Sequence, residues 1–360
     1  MRVRLFPVLV LLSLAACQKN EASQEESTKK EKKDESAQDK VGAIDPDLAE
    51  AVAAASVEAP AGKGPPQPKG VEGGPPPDGV FAPGAADKEI ARGALPKITL
   101  GSEGADPKQQ LGLAKSPQKL SGTIQIALQS DPRQGAIPVL LNVVLEPKKA
   151  EAGKDDKAAV SQPVSVRIVS AKIDAPGVPK DVDEQLAKLK GAKVEYSILP
   201  SGAGAGFRFD TPKGAPEEFK DVVRSLSDAL ALLTIPYPDK PLGAGGFFMV
   251  TSREDLLGLD LVTYRMIKIK EVTPQGVTLD VNTKRYAANR VFDFPGLPAE
   301  IDKNLAEFQA SSEGTLQYPL GALIPTQGQV NSVLAAQLGA KEPGKRAMLQ
   351  FQTRAQLDLK

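Results

Sequence analysis

Residue types that do chemistry are scarce in this chain of 360 residues, which holds a single cysteine, Cys17, and no histidine. A Ser-His-Asp triad, a Cys-His pair and a histidine-ligated zinc are therefore excluded. Catalysis would have to run on carboxylates, Lys, Ser or Tyr. Glu254 with Asp255 and Asp260 is one acidic candidate, and Asp155-Asp156 is another. Neither has the oxygen-ligand spacing of a calcium loop, and both read as solvated turns. Gly202-Ala203-Gly204-Ala205-Gly206 and Gly243-Ala244-Gly245-Gly246 could cradle a phosphate, yet they lack the Rossmann spacing and the Lys-Ser/Thr of a P-loop. The first reads as a hairpin connection and the second as a strand entry. Tyr196, Tyr264, Tyr286 and Tyr318 stand in strand contexts, where tyrosine packs. No catalytic residue, cofactor site or metal site is assigned, and a non-enzyme is expected.

Cys17 stands apart from these. Arg2 and Arg4 make a basic start, residues 5–14 are an apolar run too short to span a bilayer, and Leu14-Ala15-Ala16-Cys17 closes it. This stretch resembles the lipobox of bacterial lipoproteins. The resemblance implies a signal peptide over residues 1–16, cleavage between Ala16 and Cys17, and a lipid on the Cys17 sulfur that anchors the chain in the membrane. Gln18 stands where an Asp would retain such a protein in the inner membrane, which implies the outer membrane, facing the periplasm. With its thiol consumed by lipid, the fold must stand on its core alone. The 45 basic and 45 acidic residues cancel, which argues against nucleic acid as a partner.

Residues 17–93 read as a disordered tether. Residues 19–40 carry interleaved Lys and Glu with no apolar side chain larger than alanine, and residues 60–79 are dominated by Pro and Gly. As a flexible coil such a tether spans roughly 50 Å.

From about residue 94 apolar and polar residues alternate. Ile124, Ile126 and Leu128 form one row, and Ile137, Val139, Leu141, Val143 and Leu145 another. Ile267 and Ile269 lead through Thr273-Pro274-Gln275-Gly276 into Val277, Leu279 and Val281 as a hairpin, and residues 349–359 make a half-buried last strand. Pro216, Glu217 and Glu218 open a helix whose face is Phe219, Val222, Val223, Leu226, Ala229, Leu230 and Leu233, closed by Pro236. Residues 176–191 match 295–310 at six of sixteen positions, which reads as an internal duplication with a short amphipathic helix in each copy. Residues 148–162 read as an insertion in the first copy.

The expected fold class is α+β: duplicated curved antiparallel sheet units, 94–246 and 247–360, packed with amphipathic helices into one body. That body resembles uncharacterised β-rich envelope lipoproteins of unknown function, and its helix-covered sheet resembles, in fold alone, the periplasmic carriers that shuttle lipidated proteins. The expected role is a non-catalytic one, binding an apolar ligand or an envelope protein. A carboxylate-based hydrolase of the envelope and a purely structural component are the alternatives.

Overall fold

The computed structural model describes residues 76–360, apart from 113–117, 130–135, 149–160, 216–219, 257, 293–300, 323 and 341–345. Ala16, Cys17, the tether up to residue 75, the insertion, the opening of the expected helix and Pro295 to Pro298 lie outside the described residues.

The described chain is mostly β, so the α+β expectation is corrected. Twelve strands make one antiparallel sheet in the order β1-β7-β8-β9-β10-β11-β12-β2-β3-β4-β5-β6. They are β1 (Lys97–Ser102), β2 (Leu120–Gln129), β3 (Ile137–Pro147), β4 (Gln162–Ile173), β5 (Lys193–Ile198) and β6 (Gly204–Asp210). The rest are β7 (Phe247–Leu256), β8 (Leu259–Thr273), β9 (Gly276–Ala287), β10 (Ile301–Pro319), β11 (Gln327–Ala340) and β12 (Arg346–Leu359). Two meanders, β2 to β6 and β7 to β12, are joined where β12 pairs with β2, Ala355 opposite Ile126. The expected hairpin at 273–276 is the β8–β9 turn, with Thr273 opposite Gly276.

Three helices are described: α1 (Ala85–Glu89), α2 (Lys180–Ala187) and α3 (Lys220–Leu233). The α3 sequence buries Val222, Val223, Leu226, Ala229, Leu230 and Leu233, as the helical spacing predicts. Each fully buried Leu or Val on it contributes about 1.5–3 kcal/mol. This helix lies against β2, β5 and β6. It also carries the chain from the β6 edge of the sheet to β7, beside the opposite edge. Leu226 and Leu230 share one apolar cluster with Val194 and Ile198 of β5 and with Phe248 and Val250 of β7. The sheet therefore curls around α3, and its two ends meet over one core.

The duplication does not carry into the fold. Asp183, Leu186 and Ala187 lie in α2, whereas their counterparts Asp302, Leu305 and Ala306 lie in β10. The reason is local. The β10–β11 register shifts between Ile301 and Leu305 and again between Leu305 and Glu307. Such bulges bring Ile301, Leu305 and Phe308 to the buried face at helix-like spacing. One sheet thus replaces two similar units.

The body also begins earlier than residue 94. Residues 78–81 run between the end of β9 and β10: Ala287 N–H donates to Gly79 O, Phe81 N–H to Ala287 O and Phe308 N–H to Asp78 O, at 2.8–2.9 Å. Val80 is buried with Leu259 and Phe308, while Phe81, Ala86 and Ile90 pack with Val262 on the other side. Gly79 has φ of 74°, and a Cβ there would stand 1.6 Å from Phe308 O, so glycine is required at this close approach. Composition pointed to spacer because Pro and Gly outnumber these apolar residues. Burial of Val80, Phe81 and Ile90 decides otherwise.

Candidate functional site

The inward face of the central strands is apolar at both ends and polar in the middle. On β8 the inward residues run Leu259, Leu261, Thr263, Arg265, Ile267, Ile269, and on β9 Val277, Leu279, Val281, Thr283, Arg285, Ala287. Antiparallel pairing places Thr263 opposite Arg285 and Arg265 opposite Thr283. Ser252 of β7 lies beside Thr263, and Ser312 of β10 lies beside Thr283. Ser332 and Thr353 continue the row onto β11 and β12. A polar belt thus crosses the sheet between the large core under α3 and a second apolar cluster around Leu259, Phe292 and Phe308.

Charge concentrates where the belt meets α3. Arg265 is 5 % exposed and Arg285 2 %. Arg265 Nη2 donates to Glu254 Oε1, and Arg265 Nη1 donates to Thr234 O at 3.0 Å. Ser252 Oγ adds a hydrogen bond to Glu254 Oε1 at 2.9 Å, and Arg285 Nε stands 3.7 Å from Glu254 Oε2. Burial pushes the Glu254 carboxyl up, but Arg265 and Arg285 pull harder and leave it below the usual carboxylate range. Half-buried Asp228 on α3 behaves oppositely. Burial pushes its carboxyl up to about 7, with Arg224 and Arg285 pulling down and Glu254 adding repulsion. Among the described residues, Arg265 Nε, Arg285 Nε, Arg285 Nη2 and the Thr263 hydroxyl make no hydrogen bond. The belt holds more donors than acceptors.

Arg265, together with Tyr318 of β10, also fastens the C-terminal end of α3. Tyr318 OH donates to Leu233 O, and Arg265 takes the next carbonyl, Thr234 O. A cation and a hydroxyl there satisfy carbonyls at the negative end of the helix dipole. Beside that end opens a cleft lined by Ile235, Tyr237, Leu279, Tyr318 and Gly202, with free volume of about 20 Å³, room for roughly one water. Of the Gly202–Gly206 stretch, Gly202 and Ala203 lie in the β5–β6 connection, whereas Gly204, Ala205 and Gly206 already belong to β6; a Cβ at Gly202 would meet the Tyr237 ring at 2.3 Å. Gly243–Gly246 leads into β7, as expected.

Other sequence candidates divide. Asp255 is solvated, its side chain 63 % exposed beside Arg92. Asp260 is not: Arg253 Nε and Nη2 bind its carboxylate at 2.5 and 2.9 Å. Glu254, read as part of a solvated turn, is 23 % exposed and is the belt's ionised acid. Asp155-Asp156 lies outside the described residues. Among the described residues no group of three His, Cys, Asp or Glu side chains is placed to hold a metal ion. Tyr264 and Tyr286 pack edge-on at 5.8 Å on the outer face, and Tyr286 meets Phe81 at 6.1 Å. Tyr196 stacks on Phe207 at 4.6 Å in the interior.

Sequence reasoning missed the belt, although its signal is present. Thr263-x-Arg265 and Thr283-x-Arg285 each interrupt an apolar row of period two, in neighbouring strands of one hairpin. No protein-family model matches this chain. No curated protein matches it either.

Proposed function

We propose that the protein is an envelope lipoprotein, anchored through lipid on Cys17, whose β body is a non-catalytic module binding an apolar or amphipathic ligand on its concave face beneath α3. The carrying observation is the arrangement of that face: an apolar region, a belt rich in buried arginine donors, and a second apolar region, with an amphipathic helix over the larger one. A purely structural sheet gains nothing from buried, incompletely paired arginines, which are costly to desolvate. The helix fastening by Arg265 and Tyr318 sits beside the cleft, so releasing two side chains frees the end of α3 where a ligand would enter. The lipobox supports the anchor, and Gln18 supports the outer membrane.

One observation favours carboxylate catalysis as a second reading: Asp228 and Glu254 are neighbours with carboxyl affinities pushed apart, as an acid and an ionised partner need. Against it, Glu254 is committed to Arg265 and Ser252 through the same oxygen and faces Arg285 with the other. Its charge is already spent on two guanidinium groups rather than held for a substrate.

Native mass spectrometry of the full-length Cys17→Ser chain, exported and purified without detergent, tests the leading reading. A co-purifying adduct of lipid mass is the expected result. A bare protein mass, unchanged after incubation with envelope lipid extract, contradicts it.

A further inference from the structure

The belt carries more than an apolar ligand requires, and its chemistry narrows what the ligand must be. This inference rests on the ligand-binding reading above. Arg265 and Arg285 are both more than nine-tenths buried, and Glu254 is the ionised carboxylate they share. Asp228 is the other acid facing Arg285, from α3, and Arg224 on the same helix is the remaining charge near it. A carboxyl that holds its proton to about pH 7 compensates a guanidinium only in part. Arg265 and Arg285 thus share a single ionised carboxylate, Glu254, at the centre of the belt.

The donors agree with the charges. Among the described residues, Arg285 Nε and Nη2 and Arg265 Nε are buried without a hydrogen-bond acceptor. The Thr263 hydroxyl, which faces Glu254 without closing a hydrogen bond, joins them on the register row of Arg285. Guanidinium edges with free N–H groups match the two oxygens of a carboxylate or phosphoryl group. The flanks are apolar on both sides: Ile267, Leu279 and Val281 toward α3, Leu259, Leu261 and Phe308 the other way.

We propose that the Arg265–Arg285 belt is an oxyanion site that takes the singly charged head of an amphipathic ligand, whose alkyl chain lies on the apolar face beneath α3. A long-chain carboxylate carries the shared chemistry in its simplest form. Entry is at the C-terminal end of α3, because Arg265 holds Thr234 O there and must share that guanidinium with the incoming head. Binding and loosening of α3 are therefore coupled through one side chain.

The test uses the full-length Cys17→Ser chain and four probes: oleate, oleyl alcohol, acetate and inorganic phosphate, titrated against a displaceable fluorescent fatty acid. Oleate is expected to bind at least tenfold tighter than oleyl alcohol, as loss of charge-assisted hydrogen bonds implies. Acetate and phosphate are expected to compete only at concentrations about a hundredfold higher or more. Arg285→Gln is expected to remove the preference for oleate over oleyl alcohol. If that variant does not fold, the comparison of oleate with its alcohol in the parent chain decides alone. Equal affinity for the two overturns the oxyanion site and leaves the apolar-ligand reading standing. Tight phosphate binding that oleate cannot displace overturns the amphipathic ligand. Failure of oleate and alcohol alike overturns both readings.

Discussion

Replacing Asp228 by Asn isolates the electrostatics of the belt from its packing. Burial, against the pull of Arg224 and Arg285, lifts the Asp228 carboxyl to about 7. The same group titrates near roughly 3.9 in an unfolded chain. The folded state therefore holds the proton more tightly. The associated stability is complete below about pH 4 and is lost as pH rises through 7. The gap corresponds to about 4 kcal/mol at most, and partial exposure of Asp228 lowers it. Asn keeps the shape and removes the titration. Glu254 works in the opposite sense, because its lowered value stabilises the fold above the unfolded carboxylate range and loses that contribution in acid. Both chains keep Glu254, so its effect cancels in the comparison. Urea unfolding followed by far-UV circular dichroism at pH 4.5, 6 and 8 is the assay. Asp228→Asn is expected to differ from the parent by about 1 kcal/mol or less at pH 4.5 and to exceed it by about 2–4 kcal/mol at pH 8. A difference that does not change with pH would refute the reasoning.

Other expectations follow from the same contacts. Glu254→Gln leaves Arg265 and Arg285 without their shared anion and should cost about 3–5 kcal/mol in urea unfolding; a neutral outcome would show that the arginines find other partners. A chain beginning at residue 94 should melt well below one beginning at 76, since it loses buried Val80, Phe81 and Ile90 at roughly 1.5–3 kcal/mol each; equal melting temperatures would contradict the docking of residues 78–81. Gly79→Ala should destabilise by about 2 kcal/mol or more, read by thermal unfolding, because its Cβ collides with Phe308 O. Cys17→Ser should abolish incorporation of labelled palmitate in growing cells, and retained label would remove the lipid anchor from the proposal.

Much of the sheet was legible because its signals are local. Period-two rows such as Ile267, Ile269 and Val277, Leu279, Val281 report one buried face, and the spacing from Val222 to Leu233 reports one buried helix stripe. Three features were hidden for separate physical reasons. Bulges in β10 spaced Ile301, Leu305 and Phe308 like a helix, which lent the duplication its second helix. Docking of Val80 and Phe81 depends on a gap between β9 and β10 that no nearby residue announces. The arginine belt needs register: Thr263-x-Arg265 and Thr283-x-Arg285 become one buried polar row only when strand pairing sets them opposite each other. The acidic group at 254–260 misled for the same reason, since one carboxylate of the group turns inward and its neighbour turns out.

The central claim is a ligand on the concave face beneath α3, and site-resolved photocrosslinking tests it most directly. A fatty acid carrying a photoactivatable group near its tail is bound to the full-length Cys17→Ser chain, irradiated, and the modified peptides are identified. Crosslinks on Leu226 or Leu230 of α3 and on Ile267, Leu279 or Val281 of the facing strands are expected, with excess oleate suppressing them. Crosslinks confined to the exposed side chains Phe247, Met249 and Met348 of the outer face, or spread evenly along the chain, would contradict it.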